Sequence, residues 1–238
     1  MSDTPFVASA RPVSHADHPE SDDHAEPHAL GCPFCERHNL ELTLAVTDHF
    51  YLLADHAPLL EGHLLIVPHG HYACYGGIPA DYETELVALK RRVASFLTSA
   101  YRTPTFFEHG VFRQTVFHAH LHALPFGPIP LNLRQQVAAF GGRSVRSLAD
   151  LRDWYTERGH YFYLEEAGEN PPDEQQTALN EAAIFPPEMR IYSQMVGSLW
   201  RLGSGVIAWR SPQERYAQRE PMLTGVAHAW QTFVAAGG

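Results

Sequence analysis

The stretch Thr115-Val116-Phe117-His118-Ala119-His120-Leu121-His122-Ala123-Leu124 sets three histidines at strict period two inside an otherwise apolar run. Period two is the spacing of a strand, in which successive side chains point to opposite faces. His118, His120 and His122 then share a face with Val116 and Leu124, while Phe117, Ala119, Leu121 and Ala123 pack the other. At a rise of ~3.3 Å per residue, neighbouring histidines stand ~6.6 Å apart at Cα and the outer two ~13 Å apart. One metal ion can take two of them but hardly all three. A row of imidazoles whose charge responds to small pKa adjustments suits a multiply charged oxyanion such as a phosphate chain. The solvated side of an edge strand would account for one such histidine, not for three.

The chain around this run is long and apolar enough for one generous domain plus an extension: 238 residues, 45% hydrophobic and 18% charged. Its formal net charge of -10 argues against a general binder of nucleic-acid polymers and against an anionic membrane surface. No apolar stretch approaches the roughly 18–20 residues of a membrane span, and the first twenty residues lack the apolar segment of a secretory signal. A cytoplasmic location is expected, and there Cys32, Cys35 and Cys74 read as ligands or buried thiols rather than a disulfide framework. Lys90 is the only lysine and no glycine-rich loop precedes it, which sets aside P-loop chemistry.

Residues 1–30 hold Asp3, Asp17, Glu20, Asp22, Asp23 and Glu26 against Arg11, with four histidines and few large apolar groups. Such a segment cannot bury enough surface to offset its ordering, so a mobile tail is expected. Short strands are expected at His49–Ala54, His63–Val67, Thr105–Phe107 and Thr115–Leu124. Leu86, Leu89, Val93, Phe96 and Leu97 recur at helical spacing behind Asp81, predicting a helix to about Ala100. The character changes after Pro125–Pro130, where a soft boundary near 128 separates residues 31–128 from an appended region, 129–238. In that region Leu148–Tyr155, Pro187–Leu202 and Pro221–Val234 read as helices, His160–Glu165 as a strand, and Gly168–Gln176 as a polar loop.

Cys32-Pro-Phe-Cys35 is a second constellation. A Cys-x-x-Cys pair is either a redox dithiol or half of a zinc site. It precedes the core instead of opening a helix in a βαβ unit, which disfavours the dithiol. His71 and His118 are candidates for the two further zinc ligands. A cupin-like His-x-His metal centre is the alternative for the histidine run itself.

Taken together, these residues resemble the histidine triad (HIT) superfamily of nucleotide hydrolases and nucleotidyl transferases. His118-Ala-His120-Leu-His122-Ala-Leu124 matches its motif completely. Upstream, Asp55-His-Ala-Pro58, Gly62-His63-Leu-Leu-Ile-Val-Pro68 and His71 fall at the family's spacings. The resemblance covers about residues 32–125. It implies an α+β fold, an antiparallel sheet of about five strands with one main helix, to which a mostly helical C-terminal extension is added here. It implies His120 as the nucleophile that takes up a nucleotidyl group and His122 as a donor to phosphate oxygens. Asp55, His63, Gln114 and Thr115 become nucleotide- or phosphate-binding residues, with Asp55 on the ribose hydroxyls. Structural zinc on Cys32, Cys35, His71 and His118 is implied as well. The partner is then a small-molecule nucleotide, cleaved at its α-phosphate by hydrolysis or by transfer to a phosphate acceptor, unless the module binds without turnover. Relatives pair as homodimers, although the additional region could cover that surface. The chain departs from the family at Glu108-His109-Gly110, where relatives carry Asn, and at Arg113-Gln114-Thr115, where they carry Gly-Gln-Ser.

Overall fold

Phe50-Tyr51-Leu52-Leu53-Ala54 and Leu64-Leu65-Ile66-Val67-Pro68 are buried at every position, as short continuous apolar runs are when both faces of their sheet are covered. In the computed structural model they form β2 (Phe50–Ala54) and β3 (Leu64–Pro68), paired antiparallel from Phe50↔Pro68 to Ala54↔Leu64. The structure describes residues 29–36, 42–128, 132–166, 181–187, 193–194 and 211–238. The N-terminal tail, the 168–176 loop and most of the 187–202 segment lie outside these. Gly62, at φ +84, makes the turn into β3, a backbone conformation open to glycine at little cost.

β1 (Thr43–Val46) lies outside β2, and β4 (Thr105–Gly110) and β5 (Leu121–Leu124) complete the first half of the sheet. α1 (Glu83–Ala100) crosses one face and buries Leu86, Leu89, Lys90, Val93, Phe96 and Leu97, the spacing seen in the sequence. Asp81, expected as its cap, sits in a short 3-10 turn, Ala80–Tyr82, that leads into the helix.

The additional region continues this sheet. After α2 (Leu133–Phe140) come β6 (Arg143–Val145), α3 (Leu148–Arg158), β7 (Tyr161–Glu166) and β8 (Ala182–Phe185), then α4 (Pro212–Ala217) and α5 (Arg219–Ala235). The eight strands run in the order β1-β2-β3-β5-β4-β7-β8-β6, and each described pairing between them is antiparallel. The class is α+β as expected, but the sheet has eight strands rather than about five, because β7 pairs along the whole of β4, from Thr105↔Glu166 to Gly110↔Tyr161. α5 lies against α1, with Trp230 edge-on to Phe96 at 5.0 Å. Thus the β4 edge and this side of α1 are both occupied by the chain's own later residues. Among the described residues no helix is long and apolar enough to cross a membrane.

The two parts are also joined by charge. Lys90 of α1 is 7% exposed and ion-paired with Glu165 of β7, which is fully buried, and Tyr163 Oη accepts from the same ammonium at 3.5 Å. A desolvated pair of this kind persists only with both members in place. Glu108 of β4, also fully buried, accepts from Tyr75 N at 2.8 Å and from Tyr161 Oη at 2.5 Å.

Candidate functional site

The strand expected over Thr115–Leu124 is paired only from Leu121 to Leu124. Before it, side-chain and loop hydrogen bonds replace the ladder. His118 Nε2 donates to the Pro68 carbonyl at 3.0 Å, and Ala119 N donates to the Tyr72 carbonyl at 2.7 Å. The histidines nevertheless gather. The rings of His120 and His122 are 4.9 Å apart, and β3 and β4 flank His122 through Leu65↔His122 and Phe107↔His122. Leu121 and Ala123 turn to the α1 side, where they join the main apolar core. A cavity lined by Tyr75, Leu86, Lys90, Leu121, Leu148 and Tyr163 therefore lies across the sheet from the histidines.

Hydrogen bonds fix which ring nitrogens carry protons. His120 Nδ1 lies 2.6 Å from the His118 carbonyl; a carbonyl only accepts, so Nδ1 holds the proton and Nε2 keeps its lone pair. Leu59 N donates to His63 Nδ1 at 3.2 Å, which places the His63 proton on Nε2, the atom 2.9 Å from His122 Nδ1. That bond in turn leaves the His122 proton on Nε2. The row thus offers one bare nitrogen and, beside it, one N–H donor. Asp55 accepts from Ala57 N at 2.8 Å through Oδ1, and its Oδ2 is 3.4 Å from His63 Nδ1.

Burial keeps these rings neutral. His120, 6% exposed, has its pKa lowered chiefly by desolvation, against the upward pull of the His118 carbonyl and Asp55. His63 is lowered by burial, with Arg215 of α4 acting in the same direction and Asp55 opposing. His122 falls well below the ordinary histidine range through burial and the neighbouring imidazoles.

Of the remaining expected residues, Gln114 is buried and donates through Nε2 to the Ala73 carbonyl at 2.9 Å. Thr115 is exposed in the same loop. The loop carries Val111 at φ 69 and Arg113 at φ 56, left-handed conformations that cost non-glycine residues on the order of 1–3 kcal/mol each.

Three further side chains pack against the histidines. β4 was expected to end at Phe107; it runs on to Gly110, so Phe107 and His109 point to the face of His122. Phe107 stacks on His122 at 4.3 Å and 6°, and His109 stands edge-on to it at 6.5 Å. Burial, together with His120 and Arg113, pushes the His109 pKa down to about 4. The same alternation sends Glu108 to the opposite face, against Tyr75 and Tyr161. Phe34, from between the two cysteines, packs on His120 at 5.3 Å, held by Tyr51 Oη donating to its carbonyl at 2.8 Å.

Cys32, Cys35, His71 and His118 each bring one donor atom to within 4.8 Å of the others. Zn–S near 2.3 Å and Zn–N near 2.0–2.1 Å give a tetrahedral Cys₂His₂ site edges of about 3.3–3.8 Å. The measured separations fall there: Cys32 Sγ to His118 Nδ1 3.5 Å, Cys35 Sγ to His71 Nδ1 3.4 Å, and Cys35 Sγ to His118 Nδ1 3.6 Å. The His118 Nε2 bond to Pro68 leaves Nδ1 as the coordinating nitrogen, with its second-shell carbonyl in place. The residues fit the ion. Asp55, His63 and His122 form a second group of close donors, but Leu59, Ala57 and one another already engage them.

Residues 20–137 match the family model described as "Protein similar to CwfJ C-terminal". The adenosine 5'-monophosphoramidase HNT1 of Saccharomyces cerevisiae is 29% identical over 97 residues, covering 40% of this chain and 61% of that protein, so the match spans less than two thirds of the relative. A hypothetical histidine triad nucleotide-binding protein from Sulfolobus tokodaii is 25% identical, with a TM-score of 0.36 over 40% of this chain and 68% of that one. A Zn-bound histidine triad family protein from Mycobacterium smegmatis is 20% identical, with a TM-score of 0.36 over 54% of this chain and 97% of its own.

Proposed function

We propose that the chain is a member of the histidine triad superfamily and a nucleotide hydrolase that cleaves a bond to a nucleoside α-phosphate through a nucleotidyl-histidine intermediate on His120, a reading supported by the matched residues and the monophosphoramidase relative. The observation that carries this reading is the 2.6 Å contact from His120 Nδ1 to the His118 carbonyl. It aims an unprotonated Nε2 away from the backbone and supports the positive charge that the ring acquires when Nε2 bonds to phosphorus. Attack expels the leaving group with its electron pair. Water then attacks phosphorus, the P–N pair returns to Nε2, and the nucleoside monophosphate is released with a proton lost to solvent. Splitting one displacement into two lets the same positioned groups serve both.

His122 Nε2–H is the donor to a phosphate oxygen in both steps, and His63 holds it in that tautomer. Asp55 Oδ2 is the acceptor for the ribose hydroxyls. Thr115 and Gln114, at the loop entering the strand, are assigned to phosphate by their match to the family pattern. Zinc held by Cys32, Cys35, His71 and His118 supplies no chemistry to the reaction; it is structural, fixing the loop that bears Phe34 against His120. Residues 31–128 form the nucleotide-binding module and 129–238 its extension, in a protein of the cytoplasm.

The test is mass spectrometry of the protein after brief mixing with adenosine 5'-phosphoramidate or a dinucleoside tetraphosphate. Wild type should gain one nucleotidyl mass at His120, and His120→Ala should gain none and release no monophosphate. A wild-type protein that stays unmodified and yields no product, with either compound, overturns the reading. Product that appears only when an acceptor phosphate is added identifies the transferase instead.

A further inference from the structure

We propose that His109 and Arg113 form the leaving-group subsite of this centre and select substrates whose leaving group is itself a phosphate. This rests on the nucleotidyl-transfer reading above and goes beyond it by naming the class of bond cleaved.

The sheet order gives the site a direction. Asp55 and His63 lie at the β2–β3 side, His120 and His122 in the middle, and His109 one strand further, on β4. With the nucleoside at Asp55 and phosphorus at His120, the departing group is carried toward β4 and β7. There His109 stands edge-on to His122 and is packed at 5.5 Å by Phe162 of β7. The loop beyond is tightly determined. A Cβ on Gly110 would lie 2.5 Å from the ring of Tyr161, Val111 bridges to Tyr161, and both Val111 and Arg113 hold left-handed backbones. Arg113 follows in this loop, close enough for its charge to act on His109, with its guanidinium 5.3 Å from the Phe112 ring and its side chain exposed.

The chemistry separates two classes of leaving group. An amine needs a proton as the P–N bond breaks. A phosphate departs as an anion: the P–O pair stays on its oxygen, no proton is required near neutral pH, and positive charge near that oxygen is what lowers the barrier. The imidazoles of the site are neutral, and His109, with its pKa near 4, is a poor acid at pH 7. Arg113 supplies a permanent cation at this end of the row. Guanidinium is also the side chain whose planar fork fits phosphate oxygens.

The experiment compares kcat/KM for three adenylyl substrates with wild type, Arg113→Gly and Arg113→Lys. Glycine is used because it accepts φ 56 without strain. A dinucleoside tetraphosphate and a nucleotide sugar leave as a nucleotide and a sugar phosphate; adenosine 5'-phosphoramidate leaves as ammonia. Arg113→Gly should slow both phosphate-leaving substrates roughly ten- to hundredfold, the scale for losing one charged contact in a transition state, and leave the phosphoramidate within about twofold. Arg113→Lys should recover part of the loss. Loss in only one of the two phosphate arms identifies which class the subsite takes. Equal loss for all three substrates, or no loss for any, overturns the proposal. If wild type cleaves the phosphoramidate and neither phosphate-leaving compound, the subsite assignment fails while nucleotidyl transfer stands. If none is cleaved and no covalent adduct forms, both fail.

Discussion

Glu108 makes the stability of this protein depend on pH in a direction opposite to ordinary carboxylates. It is fully buried, and desolvation raises its pKa from 4.5 to about 8 in spite of the bonds from Tyr161 and Tyr75. In the unfolded chain the group titrates near its ordinary value. Between about pH 4.5 and 8 the folded state therefore holds a proton that the unfolded state has released. Unfolding free energy then falls as pH rises, by up to about 1.4 kcal/mol per unit. Over the interval the group contributes about 5 kcal/mol, fully present below the unfolded pKa and lost by about pH 8. Buried histidines tilt the profile the other way at low pH: their lowered pKa values weaken the fold as pH drops below about 6.5. The informative quantity is thus the difference between wild type and Glu108→Gln, which keeps an acceptor for Tyr75 N and does not titrate. Urea unfolding at pH 5, 6, 7 and 8 should show the wild-type advantage shrinking by about 3–4 kcal/mol from pH 5 to 8. An advantage that stays flat or grows with pH would mean that Glu108 is ionised in the fold, and the desolvation argument would be wrong.

Removing the ammonium from the buried pair by Lys90→Met should cost about 3–5 kcal/mol in urea unfolding, because Glu165 stays buried without its partner. The double variant Lys90→Met with Glu165→Leu should restore most of that stability, and a double variant no better than the single one refutes the pairing. Zinc content measured by plasma mass spectrometry should be one ion per chain and near zero in Cys35→Ser, with a lower melting temperature on chelation in wild type alone; full stability with no bound metal contradicts the assigned ligands.

The residues that sequence reasoning located are those whose meaning is carried by type and local spacing. His120 and His122, or Cys32 and Cys35, are legible because alternation and the Cys-x-x-Cys step are short-range signals, and His71 and His118 follow from them through the family match. His109 was not assigned a role because its orientation depends on parity along β4. Once the strand extends past Phe107, the pairing Phe107↔His122 decides which of Glu108 and His109 faces the site. β6 and β8 are three and four residues long, Arg-Ser-Val and Ala-Ala-Ile-Phe, too short for alternation to register. Their membership in the sheet is set by contacts with residues far away in sequence.

Those distant contacts bear on the chemistry through one strand. β4 is held between β5, which carries His122, and β7, which comes from the additional region. On one side of β4, Phe107 and His109 touch His122. On the other, Glu108 is bonded to Tyr161 of β7, two strand positions from Tyr163, which shares Glu165 with Lys90. The orientation of β4 is consequently over-determined by polar groups that are satisfied only when β7 is docked. A disturbance of the additional region at Tyr161 or Glu165 must be absorbed by β4, and the first groups to move are the ring stacked on His122 and the histidine at its edge. Among the described residues, the extension thus bears on the histidine row by holding the strand beside it.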